Sequence, residues 1–185
     1  GLLFKGKVYT TKTSPNYNGK RTVLGDILQN GEVTNDFFIK DNKLKSPKSI
    51  IEKDGSEKII TTEKEMWEHL KGPKSILRVS KEGFKYNYSE GRMIYPDALG
   101  NASRTIITGE GGKSPSRFKH VIVSERGLRR LTPVELERLN MFPDDHTKLE
   151  GVTDTKRAFF MGNALVVGVI EKIGKALYHQ INEKL

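Results

Sequence analysis

The 185-residue chain contains no cysteine and a single tryptophan, Trp67. Without thiols it can form no disulfide and offer no thiolate ligand to a metal. Its four histidines are scattered, and no clustered carboxylates support a metal-dependent nuclease. No apolar run approaches the ~20 residues needed to cross a bilayer. The N-terminal stretch GLLFKGKVYTTKT is too briefly apolar for a signal peptide, so a cytoplasmic location away from membranes is expected. Acid is missing from residues 1–25, which carry Lys5, Lys7, Lys12, Lys20 and Arg21.

What is abundant is positive charge. Lysine and arginine total 32 against 23 acids, a formal net charge of +9. That excess suits a polyanionic partner without proving one. The basic N-terminus reads equally as a solvated loop or a phosphate-contacting one. The length allows one domain with a real core, or two small units.

Local patterns predict short elements. Phe4, Val8 and Tyr9 suggest a strand, with turns at Ser14-Pro15-Asn16 and Asn18-Gly19. Thr22 to Leu28 opens a short helix ending near Asn30-Gly31. Ile50-Ile51 and Ile59-Ile60 form a hairpin, with turns at Ser46-Pro47 and Asp54-Gly55. Glu63 to Leu70 reads as a helix with Met66, Trp67 and Leu70 inward, stopped by Gly72-Pro73. Trp67 is a core anchor more than a stacking surface. Ile76–Val79 and Phe84–Tyr88 flank the turn Lys81-Glu82-Gly83. The tyrosines Tyr86, Tyr88 and Tyr95 lie among basic residues, as half-buried strand positions or as stacking platforms. Pro96-Asp97 begins a loop.

The stretch SRTIITGEGG, Ser103 to Gly112, predicts a strand at Thr105–Thr108 that ends in a glycine-rich turn. Glycines at 109, 111 and 112 allow positive φ and close backbone approach. The phosphate-binding loop motif fails, because Ile107 stands where it needs glycine. The dinucleotide glycine pattern fails at Ser114. Lys113, Arg117, Lys119 and His120 follow. A mobile glycine loop followed by cations suits entry into a DNA groove, where lysine neutralises phosphate and arginine reads guanine. An ordinary flexible hairpin is the competing reading. His120–Val123 is the expected return strand, reaching Gly127.

RRLTPVELERLNMFPDD, Arg129 to Asp145, is a compact helix start. Thr132 is the N-cap, Pro133 suits the first turn, and Glu135 completes a capping box flanked by Leu131 and Leu136. Val134, Leu136 and Leu139 can face a core, and Phe142-Pro143 stops the helix. Residues 146–156 read as a polar loop. Asn163 then caps a long helix to about Glu183, with Val166, Val169, Ile170, Ile173, Leu177 and Ile181 on one face. Gly168 and Gly174 there each cost about 1 kcal/mol relative to alanine, so a close-packed neighbour is expected.

In this order and spacing the motifs resemble the C-terminal part of a bacterial-type C5-cytosine DNA methyltransferase. RRLTPVELERLNMFPD resembles the family's ninth motif, and GNALVVGVIEKIG, Gly162 to Gly174, its tenth. Ser103-Arg104-Thr105-Ile106 resembles the Thr-Leu region of the target-recognition domain. The likeness covers about residues 88–178, and the first half matches loosely. It implies an α+β chain: an irregular, β-rich recognition domain over residues 1–157, and a tenth-motif helix over 158–185 that packs on an absent α/β catalytic domain. It implies double-stranded DNA as partner and methyl transfer from S-adenosylmethionine to C5 of cytosine, in a restriction–modification setting. The expected DNA-facing residues are Arg104, Thr105, Ile107, Thr108, Gly109, Gly111, Gly112, Lys113, Ser114, Arg117, Lys119, Arg129 and Arg130. Gly162, Asn163 and Ala164 would border the cofactor, and no metal is implied.

The family attacks C6 of cytosine with a cysteine thiolate, which this chain cannot supply. Its Phe-x-Gly-x-Gly cofactor loop, Pro-Cys nucleophile and Glu-Asn-Val segment are not found. No catalytic residue is therefore expected here. The resemblance implies a fragment or one subunit of a split enzyme, with a non-catalytic DNA-binding module as the alternative. Left alone, its C-terminal helix is expected to self-associate.

Overall fold

The computed structural model describes residues 1–12, 14, 17–51 and 56–183. The turns expected at Pro15-Asn16 and Asp54-Gly55 lie outside them. Among the described residues, every sheet is a two-stranded antiparallel hairpin. Strand β1 (Leu2–Phe4) pairs with β2 (Lys7–Tyr9), and β3 (Lys43–Ile51) with β4 (Glu57–Thr62). Strand β5 (Lys74–Val79) pairs with β6 (Lys85–Glu90), and β7 (Val121–Ser124) with β8 (Gly127–Arg130). Four helices complete the architecture: α1 (Glu63–Lys71), α2 (Pro133–Leu139), α3 (Asp154–Asn163) and α4 (Val167–Asn182). The α+β class expected from the sequence is what the chain adopts.

An isolated hairpin is marginal in water, so these depend on what packs against them. The apolar core joins Leu24 and Ile27, in a 3-10 turn, to Ile122, Leu131, Leu136, Ala158 and Met161. Each such side chain contributes about 1.5–3 kcal/mol by leaving water. On α1, Met66 and Trp67 are buried near Ile60 of β4, and Leu70 is half-buried. Trp67 is 1% exposed and is the anchor its sequence context predicted.

Polar bonds organise α2. Thr132 Oγ1 accepts from Glu135 N at 3.3 Å, and Glu135 Oε2 accepts from Thr132 N at 2.8 Å, which is the expected capping box. Glu135 does more. It is fully buried and takes a bidentate grip from Arg129, at 2.7 and 2.8 Å. It also accepts from Gln29 N at 3.2 Å, so one carboxylate joins β8, α2 and the turn after Ile27.

Several expected elements differ. Thr22–Leu28 is only a 3-10 turn, Leu24–Ile27, begun by Asp26 accepting from Val23 N at 3.0 Å and ended by extended backbone at Leu28. Ser46-Pro47 is no turn: both lie within β3, where the register slips between Lys43 and Lys48. The loss of proline's N–H is tolerated at such an irregularity. Thr105–Thr108 forms no strand, and β7 pairs with β8 instead, across the tight Glu125-Arg126 turn. The loop expected over 146–156 is present but ends at Thr153, which caps α3 by accepting from Lys156 N at 3.3 Å. Asn163 ends α3 rather than opening the last helix, and its Nδ2 donates to Phe159 O at 3.0 Å. Helix α4 starts at Val167, whose N–H is held by Asn140 O at 3.0 Å.

Replacing Glu135 by alanine strands a buried guanidinium and two backbone N–H groups. Breaking a buried pair from one side costs roughly 3–5 kcal/mol. Thermal or urea unfolding of Glu135→Ala is expected to show a loss of that size. A loss below about 1 kcal/mol would mean that the pair does not organise the fold.

Candidate nucleic-acid interface

The stretch from Arg104 to His120 lies between the Tyr95–Asp97 corner and β7. Its first fastening is Asp97, whose carboxylate receives Arg104 Nε at 2.7 Å and Nη2 at 3.0 Å. Asp97 also accepts from Val121 N at 2.8 Å. Burial alone would raise the Asp97 carboxyl, but Arg104 and the Val121 N–H outweigh it and hold it below its ordinary range. Arg104 then reaches Phe118 O at 2.8 Å, closing the base of the loop.

A second fastening is fully internal. Glu110 and His120 are buried, with Glu110 Oε1 2.9 Å from His120 Nδ1 and Oε2 accepting from His120 N at 3.0 Å. His120 Nε2 lies 3.1 Å from Ser103 Oγ. The sequence offers no spacing rule for this Ser103–His120–Glu110 chain. Only the fold brings residues 103, 110 and 120 together.

The carbonyls of the glycine turn point inward to cations. Lys119 Nζ donates to Gly112 O and Ser114 O, both at 2.7 Å. Arg130 Nη1 donates to Gly111 O at 3.0 Å and Gly112 O at 3.2 Å. Its Nη2 reaches Asp36 O at 2.6 Å. Arg117 Nη1 donates to Leu70 O and Gly72 O at 3.0 Å and pairs with Glu90 at 3.1 Å, so it holds the end of α1 to β6. Five cations expected to face DNA, namely Arg104, Arg117, Lys119, Arg129 and Arg130, are thus bonded to the protein's own carbonyls and carboxylates. Burial lowers the Lys119 and Arg130 pKa values, which marks both as partly desolvated.

Exposed on this loop are Thr105, Thr108, Gly109, Lys113, Ser114 and Phe118, while Ile107, Gly111 and Gly112 are half-buried. The glycines serve close approach, not left-handed backbone, since neither Gly111 nor Gly162 has positive φ. A Cβ on Gly111 would stand 2.7 Å from Thr155 Cα and 2.8 Å from the Ala158 Cβ. A Cβ on Gly162 would stand 2.4 Å from Thr108 Cα. Backbone cannot yield there as a side chain would, so the loop is seated directly on α3.

The same contact brings Thr105 and Ile106 beside Gly162 and Ala164, around a cavity of about 390 Å³. Asn163 is exposed and does not line it. Beyond the cavity, α4 buries no side chain: Val169, Ile170, Ile173, Leu177 and Ile181 are all exposed. No group of three or more metal-ligating side chains occurs among the described residues. No helix among them is long and apolar enough to cross a membrane.

The family model for C-5 cytosine-specific DNA methylases matches residues 5–179. Type II methyltransferase M.Sau3AI of Staphylococcus aureus is 34% identical over 177 residues, 96% of this chain. The chain belongs to the C-5 cytosine-specific DNA methylase family. It spans 37% of the length of the S. aureus relative.

Under the loop, Lys71 is 1% exposed, and its Nζ donates to Lys119 O. Burial first, and the Arg104 charge second, push its pKa down to about 8 from the usual 10.5. Between these values the unfolded chain binds more protons than the folded one, so stability from this group rises with pH. Below pH 8 the cost of the buried cation is fully present. Nitrogen NMR of the lysine amines is expected to show Lys71 titrating near pH 8. Lys71→Gln should remove its part of the stability gain above pH 8. A Lys71 midpoint above 10 would refute the assignment.

Proposed function

We propose that this chain is the target-recognition part of a DNA (cytosine-5)-methyltransferase, carrying the ninth and tenth motifs, and that it selects the sequence methylated by the whole enzyme. The observation that carries this reading is the Thr105–Ser114 loop. It is fastened from inside at Asp97, Glu110 and Arg130, seated on α3 at Gly111 and Gly162, and open outward at Thr105, Thr108, Gly109, Lys113 and Ser114. A rigidly based loop with few side chains at its tip can approach base edges closely. In this reading Arg104, Lys119 and Arg130 hold the loop's shape, Arg117 and Arg129 brace the elements beside it, and Lys113 contacts phosphate.

The reading assigns residues 1–157 to recognition and 158–185 to the catalytic core, with α3 shared between them. Methyl transfer would be from S-adenosylmethionine, in the cytoplasm, within a restriction–modification system. The fit of the cofactor to this chain alone is partial. The cavity at Thr105 and Gly162 has no carboxylate to hold ribose hydroxyls and no ring to face adenine. Asn163 and Ala164 would border the cofactor, and the groups that grip it would lie in the catalytic part. Cytosine's C6 requires a thiolate nucleophile, which this chain does not contain. A binding-only module is the second reading, favoured by that same absence.

Exchange of Ile107–Gly112 for another family member's loop, within a complete enzyme, is expected to change which sites are methylated. Unchanged site choice would refute the recognition role.

The bare stripe on α4 gives a separate expectation. This chain alone should not methylate DNA, but should restore methylation when mixed with a separately expressed catalytic part. Uncovered, the stripe is a drive to associate, and self-association through α4 should be displaced by that part. Ile170→Asp and Ile173→Asp should abolish the rescue while leaving residues 1–150 folded. Rescue by both variants at the wild-type level would exclude α4 as the docking element.

A further inference from the structure

Beside the recognition loop lies a groove of about 530 Å³. One wall is residues 36–45, the other is Lys113–Pro115, and Glu63 and Trp67 of α1 also line it. Arg130 holds the two walls together, because its guanidinium bonds Asp36 O on one side and the Gly111 and Gly112 carbonyls on the other. Lys43 and Lys45 of β3 both line the groove. Lys40, Lys43 and Lys45 are all exposed. Together with Lys113 and Arg130 they set five cations against two carboxylates, Asp36 and Glu63.

Asp36 sits amid these cations. Its Oδ2 lies 3.1 Å from Lys113 Nζ, with the two side chains 69% and 71% exposed. Lys113 above all, then Lys40 and Arg130, hold its carboxyl below the ordinary range. Such an exposed pair contributes little, so another anion can readily replace the carboxylate. A phosphodiester carries one negative charge and two free oxygens, as Asp36 does.

We propose that this groove binds backbone phosphates of the DNA strand beside the recognition loop, and that Asp36 occupies a phosphate position until DNA arrives. Lys113 then exchanges Asp36 for phosphate, and Lys40, ahead of β3, with Lys43 and Lys45 on it, tracks the strand. The inference rests on the reading that the Thr105–Ser114 loop faces duplex DNA. The groove adds affinity and register but no sequence information, since phosphate contacts position rather than specify.

The test is anisotropy titration of a labelled duplex with the 185-residue chain across a series of potassium chloride concentrations. Removing one lysine–phosphate pairing lowers the salt slope by about 1. Changing Lys40, Lys43 and Lys45 together to glutamine is expected to lower the slope by about 2–3 and weaken binding on the order of tenfold or more. The effect should be equal on a duplex carrying the recognised site and on a scrambled one. Asp36→Asn is expected to act in the opposite direction and tighten binding severalfold, because the resident competitor is gone. If the wild-type chain binds duplex but the triple variant keeps its affinity and slope, the groove assignment is overturned while the recognition reading stands. If Asp36→Asn binds more weakly than wild type, Asp36 is not a phosphate stand-in. If the wild-type chain binds no duplex at low salt, the recognition reading and this inference fall together.

Discussion

The buried carboxylate of Glu135 joins more of this molecule than any single apolar contact. It accepts from Arg129 on β8, from Thr132 at the start of α2 and from Gln29 after the first core turn. A chain built of separate two-stranded hairpins has no continuous sheet to align its parts. Charge pairs with fixed geometry take that role. The Arg129 fork and the Glu135 oxygens match bidentately, so orientation is set as well as distance. Desolvation makes such a pair expensive to leave half-formed, and that is why its members lock the elements that carry them.

The same device recurs toward the loop. Asp97 with Arg104, Glu110 with His120, and Arg157 with Glu137 each join separate segments of the chain. Lys119 and Arg130 gather the carbonyls of the glycine turn. Several of the arginines and lysines that suggested a polyanion partner are therefore bonded internally. An outward excess remains at Lys40, Lys43, Lys45 and Lys113, around a groove that the arginine framework itself creates.

Helix α3 ties the loop to the segment that leads into α4. Gly111 and Gly162 let backbone meet backbone, and Asn140 Nδ2 donates to Met161 O at 2.8 Å from the α2 side. Displacement of α3 would therefore be felt at Thr108. The contact is a short physical path between α3 and the Thr105–Ser114 loop. By contrast, α4 touches the rest mainly at its first turn, through Val167 and the approach of Gly168 to the Met141 side chain.

Rules of short range were legible in the sequence. The Thr132–Glu135 capping box, the Glu63–Lys71 helix with Trp67 inward, and the hairpin around Gly83 depend on residues within a few positions of each other, and all stand in the fold. The family was legible too, because its motifs are contiguous and ordered. Pairing across distance was not. Thr105–Thr108 has strand-forming residues, yet a strand needs a partner edge, and among the described residues none pairs with it. The loop glycines were read for conformational freedom, while tertiary packing used their lack of a Cβ. Arginines 104, 117, 129 and 130 look alike as letters. Whether each faces solvent or a buried carboxylate depends on burial, a property of the assembled chain. The sequence by itself determined the local elements, the charge and the family. The tertiary structure alone decided which cations remain free for a partner, because desolvation and pairing act between residues that only folding brings together.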